Sequence, residues 1–412
     1  MKFLTLLKNK NLSNKTCILR VDFNISLTNT DHTQTNTENF RISPRSVSVN
    51  PRISGVLSTI KFLTSRGAKV VILSHRGRPL TNLKTKKLKD PKLFKKEFSL
   101  KFAADFLNKK LKKKITFVNN FNFAAIKRKI DKSPIGSIFL LENLRFLPGE
   151  KKNDVKLAKK LASLGDFYVN DAFGVCHRNN ASVVGITRFI PSYAGLLLES
   201  EIKNLNKLNK NPRKPLVVII GGIKISDKIG LIKNFQKKTD YFLTGGGISN
   251  TMVAAEGLPI GDSLYEPKML LFAKQLLKSC SKKIILPDDV IVDKRRILDI
   301  GPQTIEKYKK IIKKAKTIIW NGPLGNIEDP KFLNGSKEIA KAILESNAFS
   351  VIGGGETVGL LKAKNSKPKK NIFISTGGGA MLEYLAGKKL PGIVALEKKG
   401  EPRPRHCLGG KR

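Results

Sequence analysis

Short apolar runs recur along the chain, and stretches of helical periodicity lie between them. In the first half the runs are CILRVDF (17–23), KVVILSH (69–75), SIFLLEN (137–143) and DFYVNDAF (166–173). In the second they are LVVIIGG (216–222), YFLTGGG (241–247), IILPDDVIV (284–292), TIIWNGP (317–323), SVIGGG (350–355) and IFISTGGG (372–379). Segments such as ISGVLSTIKFLTSRG (53–67) and NDVKLAKKLASLG (153–165) space their apolar residues as an amphipathic helix does. Nearly continuous apolar strands alternating with helices predict parallel sheets covered on both faces. The runs fall into two groups, one ending near residue 192 and one starting near 214. Between them, AGLLLESEIKNLNKLNKNPRKP (194–215) places apolar residues at 196, 197, 202, 205 and 208, as a helix would. The expected fold is α/β: two doubly wound, Rossmann-like parallel-sheet domains, 1–192 and 214–396, joined by a helical connector at 193–213. Residues 28–50 are polar and predict a loop; 397–412 form a basic tail.

Composition narrows the class. Of 412 residues, 40% are hydrophobic and 7% aromatic, as in an ordinary globular protein. The longest apolar runs, LVVII and SIFLL, are far too short to cross a bilayer. The opening MKFLTLLKNKNL is cut by Lys8 and lacks a small-residue cleavage site, so a soluble, cytoplasmic chain without membrane contact is expected. Cys17, Cys176, Cys280 and Cys407 are scattered, with no CxxC pair, which fits reduced thiols. The charge is extreme: 78 Lys+Arg less 32 Asp+Glu leaves +46. Such a field draws polyanions, yet the excess is spread over stretches such as 85–99 and 109–114 without interleaved aromatics. Solvated lysine faces are expected rather than a specific nucleic-acid site.

The ends of the strands carry the chemistry, because open α/β sheets bind ligands there. The first half ends its strands in charge and hydrogen-bonding groups: Asp22 and Asn24 in RVDFN, His75 and Arg78 in SHRGR, Arg145 in LLENLRF, and His177 and Arg178 in NDAFGVCHR. Arg52 stands just before a helical stretch. Arginine's planar fork grips phosphate and carboxylate, while Asp and Asn orient hydroxyls, so these residues predict a pocket for a small phosphorylated acid.

The second half ends its strands in glycine: GGIKISDK (221–228), GGGISNT (245–251), IGPQ (300–303), NGPLGNIE (321–328), GGGET (353–357) and TGGGA (376–380). Repeated glycine turns at strand ends predict a phosphate cradle of backbone N–H groups. A Walker loop would follow its last glycine with Lys-Ser or Lys-Thr, but here Glu356 and Thr357 stand there. The cation is supplied instead by Lys224 or Lys228. Glu356 is then a Mg²⁺ ligand or a first-turn helix carboxylate. An anion pocket, a nucleotide cradle and a connector together predict a hinge and phosphoryl transfer.

The motifs RVDFN, SHRGRP, LLENLRF, YVNDAFGVCHR, GGIKISDKI, TGGG, LDIGP, WNGPLG, GGGET and STGGGA occur in the order seen in phosphoglycerate kinases, and the chain resembles that family over about residues 1–396. The resemblance implies a monomeric two-domain enzyme that moves the acyl phosphate of 1,3-bisphosphoglycerate to ADP with Mg²⁺, giving 3-phosphoglycerate and ATP. It implies that Asp22, Phe23, Asn24, Arg52, His75, Arg76, Gly77, Arg78, Arg145, His177 and Arg178 hold the phosphoglycerate. It assigns the nucleotide to Gly222, Lys224, Lys228, Gly246, Gly301, Asn321, Pro323, Glu328, Gly354, Gly355, Glu356, Thr357, Gly378 and Gly379, with Glu328 on the ribose and Glu356 on the metal. Arg52 and Lys224 would be the catalytic cations in a direct in-line transfer. The chain departs from the family pattern at Glu356, usually Asp; at Ser26 and Ser58, usually Pro; at Val175 and Cys176, usually Thr and Ala; and at Arg76, usually apolar. Arg41-Ile42 also reads like the arginine motif, but the distance from Arg52 to the STIKFL helix matches the family. Two alternatives stand beside this reading: a weakened relative of the same fold that binds RNA or acidic surfaces, and a different acyl-phosphate-forming kinase.

Overall fold

The computed structural model describes residues 1–25, 51–79, 97–361 and 369–397. Arg41, Ser26, the expected loop at 28–50 and nearly all of the basic tail lie outside the described residues. The chain divides into two compact units, residues 1–200 with 389–412, and residues 201–388.

The first unit is built on six parallel strands in the order β3-β4-β2-β1-β5-β6. They are β1 Thr16–Arg20, β2 Lys69–Leu73, β3 Ile115–Val118, β4 Ile138–Leu141, β5 Phe167–Asn170 and β6 Ser192–Ala194. Strands β1, β4 and β5 are buried at every residue, which is why they read as unbroken apolar runs. Helices Leu57–Thr64, Lys101–Leu111, Phe123–Asp131 and Val155–Ala162 turn one apolar stripe inward and leave their lysines outside. Two of them start on side-chain caps. Asn122 accepts from the Ala125 N–H at 3.1 Å, and Asp154 from the Leu157 N–H at 2.7 Å. β1 pairs with β2 on one side and β5 on the other, so the chain reverses its direction of winding beside β1. This is where an open sheet leaves a crevice at its carboxyl edge.

The second unit repeats the plan with the order β14-β13-β12-β7-β8-β9. Its strands are β7 Leu216–Ile220, β8 Tyr241–Thr244, β9 Ile284–Ile285, β12 Thr317–Asn321, β13 Phe349–Gly353 and β14 Ile372–Ile374. Winding reverses between β7 and β12, which pair in parallel. Trp320 on β12 is fully buried and anchors the core on one face of the sheet.

Four expectations need correction. The run IILPDDVIV is not one strand: Pro287 has no N–H for a ladder, so β9 stops at Ile285. Val290–Asp293 becomes β10, which pairs antiparallel with β11 Arg296–Ile300 in a separate hairpin. Strands β3 and β6 escaped notice because ITFV follows a lysine run and SYA is only three residues long. The helix expected at 53–67 is interrupted, forming Pro51–Ser54 and Leu57–Thr64, and Arg52 sits inside the first piece. The connector forms as helix Leu196–Lys210, and the boundary between the units falls within it, at Ser200/Glu201. Residues 389–397 were drawn with the second domain, but they group with the first, where the Gly392 N–H donates to the Cys176 carbonyl at 2.8 Å.

Candidate active site

In the first unit, the loops after β1, β2, β4 and β5 meet at the carboxyl edge of the sheet. Ser74 stitches two of them: its hydroxyl accepts from the Phe23 N–H at 2.9 Å and donates to the Val21 carbonyl at 2.9 Å. Asn24 holds the next turn, its Oδ1 accepting from the Gly77 N–H at 2.8 Å, while its carbonyl accepts from Arg52 Nη1 at 2.6 Å. Gly77 has φ +59°, and a Cβ there would lie 2.2 Å from the Phe98 ring, so only glycine fits. Its carbonyl in turn accepts from Arg145 Nη1 at 2.8 Å.

These turns gather cations around one acid. Arg52 is 3.5 Å from Asp22, and His75 Nδ1 is 3.9 Å from the other oxygen of the same carboxylate. Arg178 Nε approaches His177 Nε2 at 3.3 Å. Burial lowers the Arg145 pKa to about 10, and the positive charges of Arg178, Arg20 and Arg78 push the same way. Burial also lowers Arg178, with Arg78, Arg20 and Arg52 adding to it against the opposing pull of Asp22. Burial is the largest effect on His75 too, and Arg20, Arg145, Arg178 and Arg52 push its pKa further below the usual imidazole range. Cations that repel one another at a sheet edge are relieved when a multiply charged anion enters. Asp22, Asn24, His75, Gly77, Arg78, Arg145, His177 and Arg178 are thus carried on the loops of one edge, and Arg52 reaches Asp22 and Asn24 from helix Pro51–Ser54.

Two expected ligands take other roles. Phe23 is fully buried in the core, so its side chain packs rather than binds. Arg76 was expected at the pocket rim, but its guanidinium donates to the Ser99 carbonyl at 3.3 Å and lies 4.9 Å from the Phe102 ring centre. Burial lowers its pKa, opposed by Glu97 and Glu142. The sequence reading missed Arg20, Glu150 and Ser182. The signal for Arg20 was a lone charge inside the apolar run CILRVDF; nothing in the sequence marked the other two.

In the second unit the corresponding edge is made of backbone. The turns after β7 and β12 pack directly on each other. The Gly222 N–H donates to the Pro323 carbonyl at 2.8 Å, and a Cβ on Gly221 would lie 2.0 Å from that same oxygen. Asn321 Nδ2 donates to the Gly353 carbonyl at 3.0 Å, and its Oδ1 accepts from the Lys228 ammonium. Thr357 is fully buried, and its hydroxyl accepts from the Gly322 N–H at 2.9 Å, which ties the third turn to the second. The glycines then divide into two kinds. Added Cβ atoms at Gly222, Gly355, Gly378 and Gly379 would meet nothing within 4 Å, whereas at Gly246 one would lie 3.1 Å from the Gly222 carbonyl. The first kind leaves open space above the turns for a ligand; the second serves packing.

Of the two candidate lysines, Lys224 is exposed and Lys228 is buried. Burial lowers the Lys228 pKa to about 8, partly offset by Asp227 and Glu356. Glu356 is exposed in the first turn of helix Gly355–Leu361, and Glu328 is exposed beyond β12. Gly301 departs from the cradle expectation. It caps helix Pro302–Lys314, whose first N–H groups are already taken by Asp289, with Thr304 N at 2.7 Å and Gln303 N at 3.0 Å. That helix terminus has its anion built in. Among the described residues no group of three or more His, Cys, Asp or Glu gathers as a metal site.

Comparison with known proteins shows the family. The family model described as phosphoglycerate kinase matches residues 7–388. The phosphoglycerate kinase of Pseudothermotoga lettingae is 41% identical, over 97% of this chain and 100% of its own length. That of Lactobacillus gasseri is 40% identical, over 94% and 98%. Among solved structures, phosphoglycerate kinase from Coxiella burnetii superposes with a TM-score of 0.74 at 36% identity, covering 94% of this chain and 97% of its own. The Pyrococcus horikoshii enzyme does so with a TM-score of 0.78 at 30% identity, covering 96% and 98%. With a family match over nearly the whole chain and relatives near 40% identity along their full length, the chain belongs to the phosphoglycerate kinase family.

Proposed function

We propose that this chain carries out the phosphoglycerate kinase reaction with its residues divided between two chemistries. A phosphoryl group passes reversibly between the acyl phosphate of 1,3-bisphosphoglycerate and ADP. In the direction of ATP use, a carboxylate oxygen of 3-phosphoglycerate attacks the γ-phosphorus while the bond to the ADP oxygen breaks. No enzyme nucleophile is required, so the protein's task is positioning and charge neutralisation. Arg78, Arg145 and Arg178, with His75 and His177, hold the phosphoglycerate, and Asp22 and Asn24 orient its hydroxyl. Arg52 neutralises the charge on the group in transfer.

The glycine turns hold the nucleotide phosphates, and Gly222, Gly355, Gly378 and Gly379 leave room for them. Lys228 meets the phosphates from below the turns and Lys224 from solvent, while Glu328 takes the ribose hydroxyls. Mg²⁺ sites of this kind use one or two carboxylates and take their remaining ligands from phosphate oxygens and water. The exposed Glu356, beside these open turns, fits that demand as the protein ligand. When bound, the ion offsets phosphate charge; Lys228 does the same from the protein side. The reading also takes the chain as a cytoplasmic monomer, on its family membership.

The observation that carries this reading is the crowding of buried Arg145 and half-buried Arg178 with Arg78 at one sheet edge, where burial and repulsion both disfavour the charges and a bound anion would relieve them. The RNA-binding alternative is not favoured, because the family match and the relatives are phosphoglycerate kinases over nearly the whole chain. A coupled assay with purified protein tests the reading: 3-phosphoglycerate-dependent turnover of ATP with Mg²⁺ is expected, and its absence would overturn it.

A further inference from the structure

Arg20 is the last residue of β1, its backbone lies in the ladder, and it is 1% exposed. All three nitrogens of its guanidinium are committed. Nε donates to Ser182 Oγ at 2.8 Å, Nη1 donates to the Val21 carbonyl, and Nη2 lies 3.2 Å from His75 Nδ1. Ser182 passes the contact on: its hydroxyl donates to Glu150 Oε1 at 2.6 Å and its N–H to Oε2 at 3.1 Å. Asn180 Nδ2 adds a third donor to the buried Glu150 at 3.2 Å. The chain Arg20–Ser182–Glu150 therefore sets a buried cation against a buried carboxylate through one hydroxyl.

A guanidinium has only donors to offer, so the imidazole nitrogen facing it must present a lone pair. Asp22 asks the opposite of the same nitrogen, because a carboxylate would accept an N–H there, but it stands farther off, at 3.9 Å. The nearer donor favours the tautomer that carries the ring proton on Nε2. That nitrogen is buried and has no partner among the described residues. We propose that Arg20, backed by Ser182 and Glu150, is a positioning residue that fixes His75 as the neutral tautomer with a bare Nδ1, so that Nε2 offers one uncharged N–H to the phosphorylated acid. This deepens the reading above and rests on its placement of His75 at the substrate. An uncharged donor adds direction to a pocket already full of cations without adding to their repulsion.

Two-bond nitrogen–proton correlation spectra of the full-length, histidine-labelled protein without ligand test the tautomer, with His75→Gln giving the assignment. The wild type is expected to show His75 neutral and protonated on Nε2 alone at pH 7.5. The groups facing the ring are Arg20, Asp22, Arg52, Arg145 and Arg178. Arg20→Met removes one repelling charge and the competing donor, so the ring should populate the Nδ1–H form toward Asp22. Its titration midpoint should rise. The KM for 3-phosphoglycerate should rise roughly tenfold, with kcat and the KM for ADP changed far less. Ser182→Ala, which keeps the guanidinium but frees its Nε, should fall between the two. A wild-type ring protonated on Nδ1, or doubly protonated at pH 7.5, overturns the proposal even if Arg20→Met does not fold. So does a folded Arg20→Met that keeps both the tautomer and the KM. If the tautomer is as stated but His75→Gln leaves the KM for 3-phosphoglycerate unchanged, the placement of His75 at the substrate fails, and the proposal fails with it.

Discussion

Both units fold an open parallel sheet of six strands, and both reverse their winding beside the first strand of the unit. What differs is the material placed at the carboxyl edge. The first unit puts guanidiniums there and accepts their burial and repulsion, which together lower Arg145 and Arg178. The second unit puts peptide groups there, ties its turns to one another through Asn321 and Thr357, and admits a single buried lysine. The comparison teaches how binding scales with the ligand. A small acid has few oxygens, and charged forks grip each one with direction. A nucleotide has a long run of phosphate oxygens, and a surface of turns can follow that run without the cost of burying many cations.

Substitutions can break this contrast. The largest effect is expected at Arg52, where truncation to alanine should cut turnover roughly 100- to 1,000-fold while leaving the affinity for ADP near wild type. Steady-state kinetics set beside ADP titration would show whether the two sites separate in this way.

Next comes Lys228. Its pKa near 8 means that it is charged below that pH and loses the charge as pH rises through it. ADP affinity should therefore decline above pH 8, up to roughly tenfold per unit, and Lys228→Met should abolish that slope while weakening binding at pH 7. Binding of 3-phosphoglycerate should not share the limb. A smaller effect is expected at Glu356. Glu356→Gln should raise the Mg²⁺ concentration needed for half-maximal activity by about tenfold, and Glu356→Asp by less, if the carboxylate meets the ion. The smallest effects belong to the open glycines. Gly355→Ala should leave the melting temperature within a few degrees of wild type, because its Cβ meets nothing, yet weaken ADP a few-fold. Gly221→Ala should instead destabilise the fold, since its Cβ would press on the Pro323 carbonyl.

Much of this contrast was legible in the chain itself. Strands buried in the sheets read as apolar runs, so nine of the ten runs each landed on one strand, and the polar or glycine residues that follow them marked the edge. Side-chain direction was not legible. Arg76 and Arg78 are two residues apart in one turn, but the first leans on Phe102 and the second is exposed. No local pattern distinguishes them, because the partner ring arrives from a distant helix. The same holds for Gly301, whose turn looks like a phosphate loop until Asp289, from the preceding hairpin, fills the helix terminus. Arg20 was hidden for another reason: a charge inside an apolar strand declares itself only when its countercharge, here Glu150 through Ser182, is known. Pro287 shows that a local signal can also be passed over, for its missing N–H was present in the run that was read as one strand.

The central claim is that one ligand is held chiefly by arginine side chains and the other's phosphates chiefly by backbone turns. Amide and arginine side-chain NMR spectra of the full-length protein, recorded separately with ADP–Mg²⁺ and with 3-phosphoglycerate, test it most directly. ADP should move the amides of Gly222, Gly355, Gly378 and Gly379 and leave the arginine Nε–H signals of Arg52, Arg145 and Arg178 in place, while 3-phosphoglycerate does the reverse. If ADP moves those arginine signals and leaves the glycine amides untouched, the account is wrong.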